Sequence, residues 1–156
     1  MKKPLAVVTM VYNEPALLPA WCRHYGAQVG AESCYVIDHG SSDGTTRNCG
    51  AVNVRRIPRS PQDDERRTRS VGHFCESLLE WYESVIYVDV DEFLLADPAL
   101  FPSLTEFACA TQAPVITATG FDVVHVLEQE EAFDYSRLIS FSEPICAFPA
   151  PCVNPC

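Results

Sequence analysis

Eleven residues, Val85 to Leu95 (VIYVDVDEFLL), constrain this chain more than any other stretch. A short apolar run rich in β-branched residues predicts a strand buried on both faces, as inside a parallel sheet. Side chains alternate along an extended chain, so Asp89 and Asp91 are expected to leave the strand's end on the same side. Two carboxylates that close repel each other, and burying them unpaired is costly or forces a protonation. A divalent cation removes the conflict. Ligation by oxygen alone suits Mg²⁺ or Mn²⁺, which take one or two carboxylates together with substrate phosphates. A strand end carrying two solvated acids fits the same letters, so the rest of the chain has to decide.

From the N-terminus, Leu5–Val11 (LAVVTMV) is a second buried-type strand ending at Tyr12-Asn13-Glu14. Asn13 is expected to cap a helix, with Glu14 at its positive end and Pro15 in its first turn. Leu17, Leu18, Trp21, Cys22, Tyr25 and Val29 fall on one face at helical spacing, and Gly30 is the expected stop. Cys34–Asp38 is another short strand, followed by the small-residue loop His39-Gly40-Ser41-Ser42-Asp43-Gly44-Thr45. Exposed backbone donors in such a loop suit a polar ligand, although an ordinary turn has the same composition. Val52–Ile57 is a third strand of this series. Ser60-Pro61 then predicts the start of a helix running to about Tyr82, with Ser60 as cap and Asp63 three residues on. Its arginines stand at pairing distance from its acids (Asp63 with Arg66 and Arg67, Glu65 with Arg69), which accounts for them as surface pairs. Arg69 is the candidate to turn inward to a phosphate instead.

This alternation of strands and helices predicts an α/β fold: a three-layer αβα sandwich with a mostly parallel sheet. Ligands of such sheets bind beyond the carboxyl ends of the strands, where Tyr12–Glu14, Asp38–Asp43 and Asp89–Asp91 all fall. With 156 residues the chain has room for one domain with a substantial core. Residues 1–69 hold ten of the eleven basic residues against seven acids, a net of +3. Residues 70–156 hold Arg137 against fourteen acids, a net of −13, which brings the chain to its −10. That acidic half argues against nucleic acid as a partner and suits a protein that recruits cations. No apolar stretch has the length of a membrane span, and the N-terminus lacks the apolar core of a signal peptide, so a cytoplasmic protein is expected. The eight cysteines include no C-x-x-C pair, which leaves zinc little support, and Cys22, Cys34 and Cys75 are expected to be buried free thiols.

With these residues in view, the chain resembles glycosyltransferases of the GT-A fold, in the broad family 2-like group. More narrowly it is similar to a branch with the pattern YNE…W…H…G…D.GSSDGT…DVDEF. Here those residues are Tyr12-Asn13-Glu14, Trp21, His24, Gly30, Asp38, Gly40–Thr45 and Asp89–Phe93. The resemblance implies a nucleotide-sugar donor, UDP- or GDP-linked, and a saccharide or a lipid- or protein-linked acceptor. It places Tyr12, Asn13, Glu14 and Asp38, with Ser41 and Asp43 of the loop, at the donor, Asp89 at the donor's ribose or the metal, and Asp91 at Mn²⁺ or Mg²⁺ on the diphosphate. His24 is read as a packed or exposed helix residue rather than a catalytic one, and His39 as a donor-side loop residue for which contact with phosphate is the lesser reading.

The second half is expected to be a partial acceptor half over 96–140, the first, donor-binding half being 1–95, with an irregular Pro/Cys-rich tail over 141–156. Ser103 and Glu106 predict a short capped helix, and Val115–Thr119 a strand that continues toward His125. By resemblance this half supplies a carboxylate base, with Asp122 as nominee and Glu128 or Glu130 behind it; an exposed loop acid is the plainer reading of each. Relatives of this kind run longer, so a binding module that does not transfer is the alternative. A phosphatase of the haloacid-dehalogenase type also uses a strand ending in D-x-D, but it needs a downstream Lys or Arg. After Arg69 this chain has Arg137 alone.

Overall fold

The computed structural model describes residues 1–113, 115–123 and 147–149. Residues 1–111 fall in one compact unit and the described residues from 112 onward in a second. In the first, β1 (Lys3–Val11) is followed by α1 (Leu17–Val29), β2 (Cys34–Asp38), β3 (Asn53–Arg56), α2 (Asp64–Leu78), β4 (Tyr82–Tyr87) and α3 (Leu104–Ala110). The four strands are parallel, in the order β3-β2-β1-β4. The chain thus steps outward from β1 to β3 and then crosses back to the far side of β1 at β4. Such a reversal leaves a crevice beyond the carboxyl ends of the two strands it separates.

Alternation along β1 divides the core into two layers. Leu5, Val7 and Val11 pack with Leu18, Trp21 and Tyr25 of α1 and Leu104 of α3. Ala6 and Val8 face the other way, toward Val71 and Leu78 of α2 and Tyr82. Helices therefore cover both faces of a parallel sheet, as the strand patterns require. Val7 and Leu18 are fully buried, and each contributes roughly 1.5–3 kcal/mol.

Several boundaries differ from expectation. Asn13 does not cap α1: the N-cap is Ala16, which makes no side-chain cap bond. Asn13 instead has φ 54° and bonds to the loop after β2. Pro19 is the third residue of α1, where a backbone donor has no helical acceptor to lose. Gly30 ends the helix as expected, at φ 85° with its N–H on Gly26 O. The cap of α2 is Asp63, whose Oδ1 accepts from Arg66 N at 2.9 Å. Ser60-Pro61 stays in the preceding loop, and α2 stops at Leu78, freeing Tyr82 to open β4.

β4 is half-buried rather than buried on both faces, because among the described residues its only strand neighbour is β1. It also ends at Tyr87, so Asp89 and Asp91 lie beyond it and strand alternation does not orient them. Glu92 N donates to Asp89 O (3.0 Å) and Asp89 N to Glu92 Oε2 (3.2 Å), a reciprocal turn. The short helix α3 is capped by Ser103, which accepts from Glu106 N at 3.2 Å, as its spacing predicts. Cys34 is buried, while Cys22 and Cys75 are half-buried; all three are free thiols.

In the second unit, β5 (Phe121–Val123) pairs antiparallel with β6 (Ala147–Pro149). The expected strand Val115–Thr119 does not form, and Val115 and Ile116 are exposed. The Pro/Cys-rich tail, read as patternless, supplies β6; a proline closing a two-stranded pair costs no interior ladder bond. His125, Glu128 and Glu130 lie outside the described residues.

Candidate functional site

A cleft of about 830 Å³ opens beyond the carboxyl ends of β1, β3 and β4, at the crossover between β1 and β4. Tyr12 and Glu14 enter it from β1, His39 from the loop after β2, Arg59 from the loop after β3, Arg66 and Arg67 from α2, and Asp89 and Asp91 from beyond β4. The cleft thus holds both acids of the D-x-D, three arginines and an exposed aromatic ring.

Backbone stitching fixes the rim. His39 N extends the sheet by donating to Val11 O (2.9 Å). Asn13 N donates to Ser41 Oγ (3.0 Å), and Ser42 N donates to Asn13 Oδ1 (2.9 Å). The left-handed backbone of Asn13 is held by these two bonds, a conformation that Asn tolerates better than most residues. Gly40, at φ 75°, lies so close to the chain after β3 that a Cβ there would stand 2.8 Å from Arg59 N. This contact sets Arg59 in place. Its guanidinium lies over the Tyr12 ring, 3.8 Å from the centroid, and donates to His39 Nδ1 at 3.1 Å. Arginine only donates, so Nδ1 accepts, while Nε2 accepts from Ser60 N at 3.2 Å and lies 3.1 Å from Ser60 Oγ. Partial burial and then the Arg59 charge hold the His39 pKa below its ordinary value.

The D-x-D segment is anchored from α1. Tyr25 Oη donates to Glu92 O (3.0 Å) and accepts from Leu94 N (2.8 Å), and His24 Nε2 bonds Leu94 O (2.9 Å). His24 is buried, edge-on to Phe93, so it has the structural role expected of it. Arg67 Nη2 donates to Tyr87 Oη at 2.6 Å and to Asp89 Oδ1, and Tyr87 Oη also donates to that oxygen at 2.7 Å. Burial pushes the Tyr87 hydroxyl up to about 12, so it remains a donor at neutral pH. Asp91 has no hydrogen bond or ion pair among the described residues.

The other candidates lie elsewhere. Asp38 is 1% exposed and does not line the cleft. Its carboxylate accepts from Ser41 N (2.7 Å), Arg56 Nη1 (3.0 Å) and Thr46 Oγ1 (3.3 Å), which shapes the loop. Ser41 is buried. Asp43 borders a separate cavity of about 200 Å³ with Cys22 and Cys49; hydrogen bonds from Thr45 hold its pKa below the usual carboxylate range. Arg69 is exposed, pairs with Glu65 at 3.2 Å and does not line the cleft. Asp122 is an exposed residue of β5, in the second unit.

No family model matches the chain, and no curated protein does. Among solved structures, the mannosyltransferase PcManGT from Pyrobaculum calidifontis, in complex with GDP-Man and Mn²⁺, matches at 17% identity and a TM-score of 0.41. The match covers 64% of this chain and 31% of that protein. These comparisons place the chain in no family.

Among the described residues no group of three or more His, Cys, Asp or Glu gathers as a metal cage. Asp89 and Asp91 do line one cleft. Two hard carboxylates suit Mg²⁺ or Mn²⁺ of the kind that completes its shell with water and substrate phosphates. The donor set therefore fits such an ion when a phosphate ligand accompanies it.

The inward arginine is Arg67, not Arg69. The signal for it is in the sequence: 67, 71, 74 and 78 share one helical stripe, and Val71, Phe74 and Leu78 are its apolar members. An arginine that extends a buried stripe lies toward the sheet, whatever acids precede it. Arg59 gave no such signal, because it is placed by the backbone contact at Gly40.

Proposed function

We propose that this chain is a metal-dependent glycosyltransferase domain that binds a nucleotide-diphosphate sugar in the cleft between β1 and β4. The observation that carries this reading is the convergence of Asp89 and Asp91 with Arg66 and Arg67 on one cleft beyond parallel strand ends. Acids and arginines together suit a diphosphate with its counter-cation, whereas either group alone would suit a cation or a simple anion. The resemblance in Tyr12–Glu14, Gly40–Thr45 and Asp89–Phe93 supports the same class.

In this reading the Tyr12 ring and Arg59 offer flat faces to the nucleoside, while Arg66 and Arg67 hold phosphate oxygens. Asp89 and Asp91 would hold Mn²⁺ or Mg²⁺, which as a Lewis acid stabilises the charge on the departing nucleoside diphosphate. Arg67 adds a permanent positive charge on the same side. Asp122 is the proposed base for the acceptor hydroxyl. Asp122→Asn should then abolish transfer and leave nucleotide binding intact.

The test is calorimetric titration of UDP and GDP into the protein, with Mn²⁺ and with chelator. Binding that needs the metal and disappears in Asp91→Ala is the expected result. Equal binding by Asp91→Ala, or none by the folded parent, would reject the assignment. Metal-dependent binding without transfer to any sugar acceptor selects the alternative, a nucleotide-sugar-binding module.

A further inference from the structure

We propose that Arg67 is an internal counter-ion that competes with the divalent cation for Asp89 and gives it up only when a nucleotide diphosphate arrives. Cation binding then requires the nucleotide. The inference rests on the donor-site reading above and assigns an order to that site.

Arg67 sits on the stripe of α2 that faces the sheet, so its guanidinium is delivered to the end of β4. There a single nitrogen, Nη2, bonds both Tyr87 Oη and Asp89 Oδ1. The pair is not sealed in: the Arg67 and Asp89 side chains are 41% and 45% exposed. Breaking a half-exposed pair strands no buried charge, and such pairs contribute little to stability. This contact is therefore one that a stronger ligand can displace.

A cation approaching without nucleotide meets two carboxylates, one of them already neutralised by Arg67. Against that charge balance, two protein ligands hold a strongly hydrated ion weakly. A diphosphate changes both sides of the competition. It supplies anionic oxygens to the cation, and it offers Arg67 a partner that its forked donors match better than one carboxylate oxygen. Tyr87 stays in place throughout, because its own hydroxyl already donates to Asp89 Oδ1. It keeps that carboxylate oriented when Arg67 leaves.

The test compares Mn²⁺ binding, by the electron-spin signal of the free ion, in the parent, Arg67→Gln and Arg55→Gln. Arg55, exposed on β3, controls for the loss of one positive charge. Without nucleotide, Arg67→Gln should bind Mn²⁺ about tenfold more tightly than the parent, and should bind GDP or UDP with Mn²⁺ about tenfold less tightly. Arg55→Gln should change neither. Arg67→Lys, which keeps the charge and loses the fork, should still exclude Mn²⁺ while binding nucleotide poorly; it also serves if the Gln variant does not fold. Unchanged Mn²⁺ affinity in Arg67→Gln, with nucleotide binding lost, overturns the competition and leaves Arg67 a simple phosphate ligand. A parent that binds no nucleotide with Mn²⁺ rejects the donor site itself, and this inference with it.

Discussion

His24 shows how one residue ties the core to the site. Its Nε2 bonds the carbonyl of Leu94, and its ring packs edge-on to Tyr25 and Phe93. Burial lowers its pKa from the ordinary 6.5, partly opposed by the Leu94 bond. A histidine kept neutral when folded binds fewer protons than its unfolded counterpart at acidic pH. Its contribution to stability is thus complete above about pH 6.5 and lost as pH falls below it, at up to about 1.4 kcal/mol per pH unit. Chemical denaturation between pH 7.5 and 5 should show this slope. In His24→Gln, which keeps a donor for Leu94 O, the slope should be shallower, with a remainder from His39. An unchanged slope would mean that His24 does not resist protonation.

At the scale of elements, α2 is the part on which the site depends, because it carries Arg66 and Arg67. Its first turn is fixed by Asp63, which accepts from Arg66 N and pairs with the Arg66 guanidinium at 3.5 Å. Removing an N-cap of this kind costs about 1 kcal/mol. Asp63→Ala should therefore lower stability by about that amount in urea unfolding and also weaken nucleotide binding, since fraying releases the arginines. Loss of stability with unchanged binding would separate the helix start from the site. The elements themselves were legible in the sequence: buried-type runs marked β1 and β2, spacing marked the apolar face of α1, and Ser103 with Glu106 marked α3. Their ends were less so. Ser60-Pro61 carries the letters of a helix start, yet Ser60 is occupied by His39 and Asp63 does the capping. The choice between Arg67 and Arg69 turns on which stripe of α2 meets the sheet, which pairwise charge spacing does not report. Val115–Thr119 has strand composition but pairs with no strand among the described residues, and composition alone builds no ladder.

Across the whole molecule, the chain carries 21 acids against 11 bases, and the fold assigns very different work to acids that read alike in sequence. Asp38 and Asp91 both follow apolar runs, and both lie at the carboxyl side of a parallel sheet. Asp38 is buried under three hydrogen bonds that shape the loop behind the cleft. Asp91 lies in the cleft with no bond of its own among the described residues. Asp38→Ala removes several bonds to a charged acceptor and leaves Ser41 N–H without its partner, which should cost about 3 kcal/mol. Asp91→Ala removes no such contact and should stay within about 0.5 kcal/mol of the parent. Thermal unfolding and Mn²⁺-dependent nucleotide titration on both variants read the two roles separately. Asp38→Ala should melt early, while Asp91→Ala should melt like the parent and fail to bind. If Asp38→Ala keeps its melting temperature and loses only the nucleotide, the donor role that the sequence suggests for Asp38 is restored, and its hydrogen bonds are incidental to the fold.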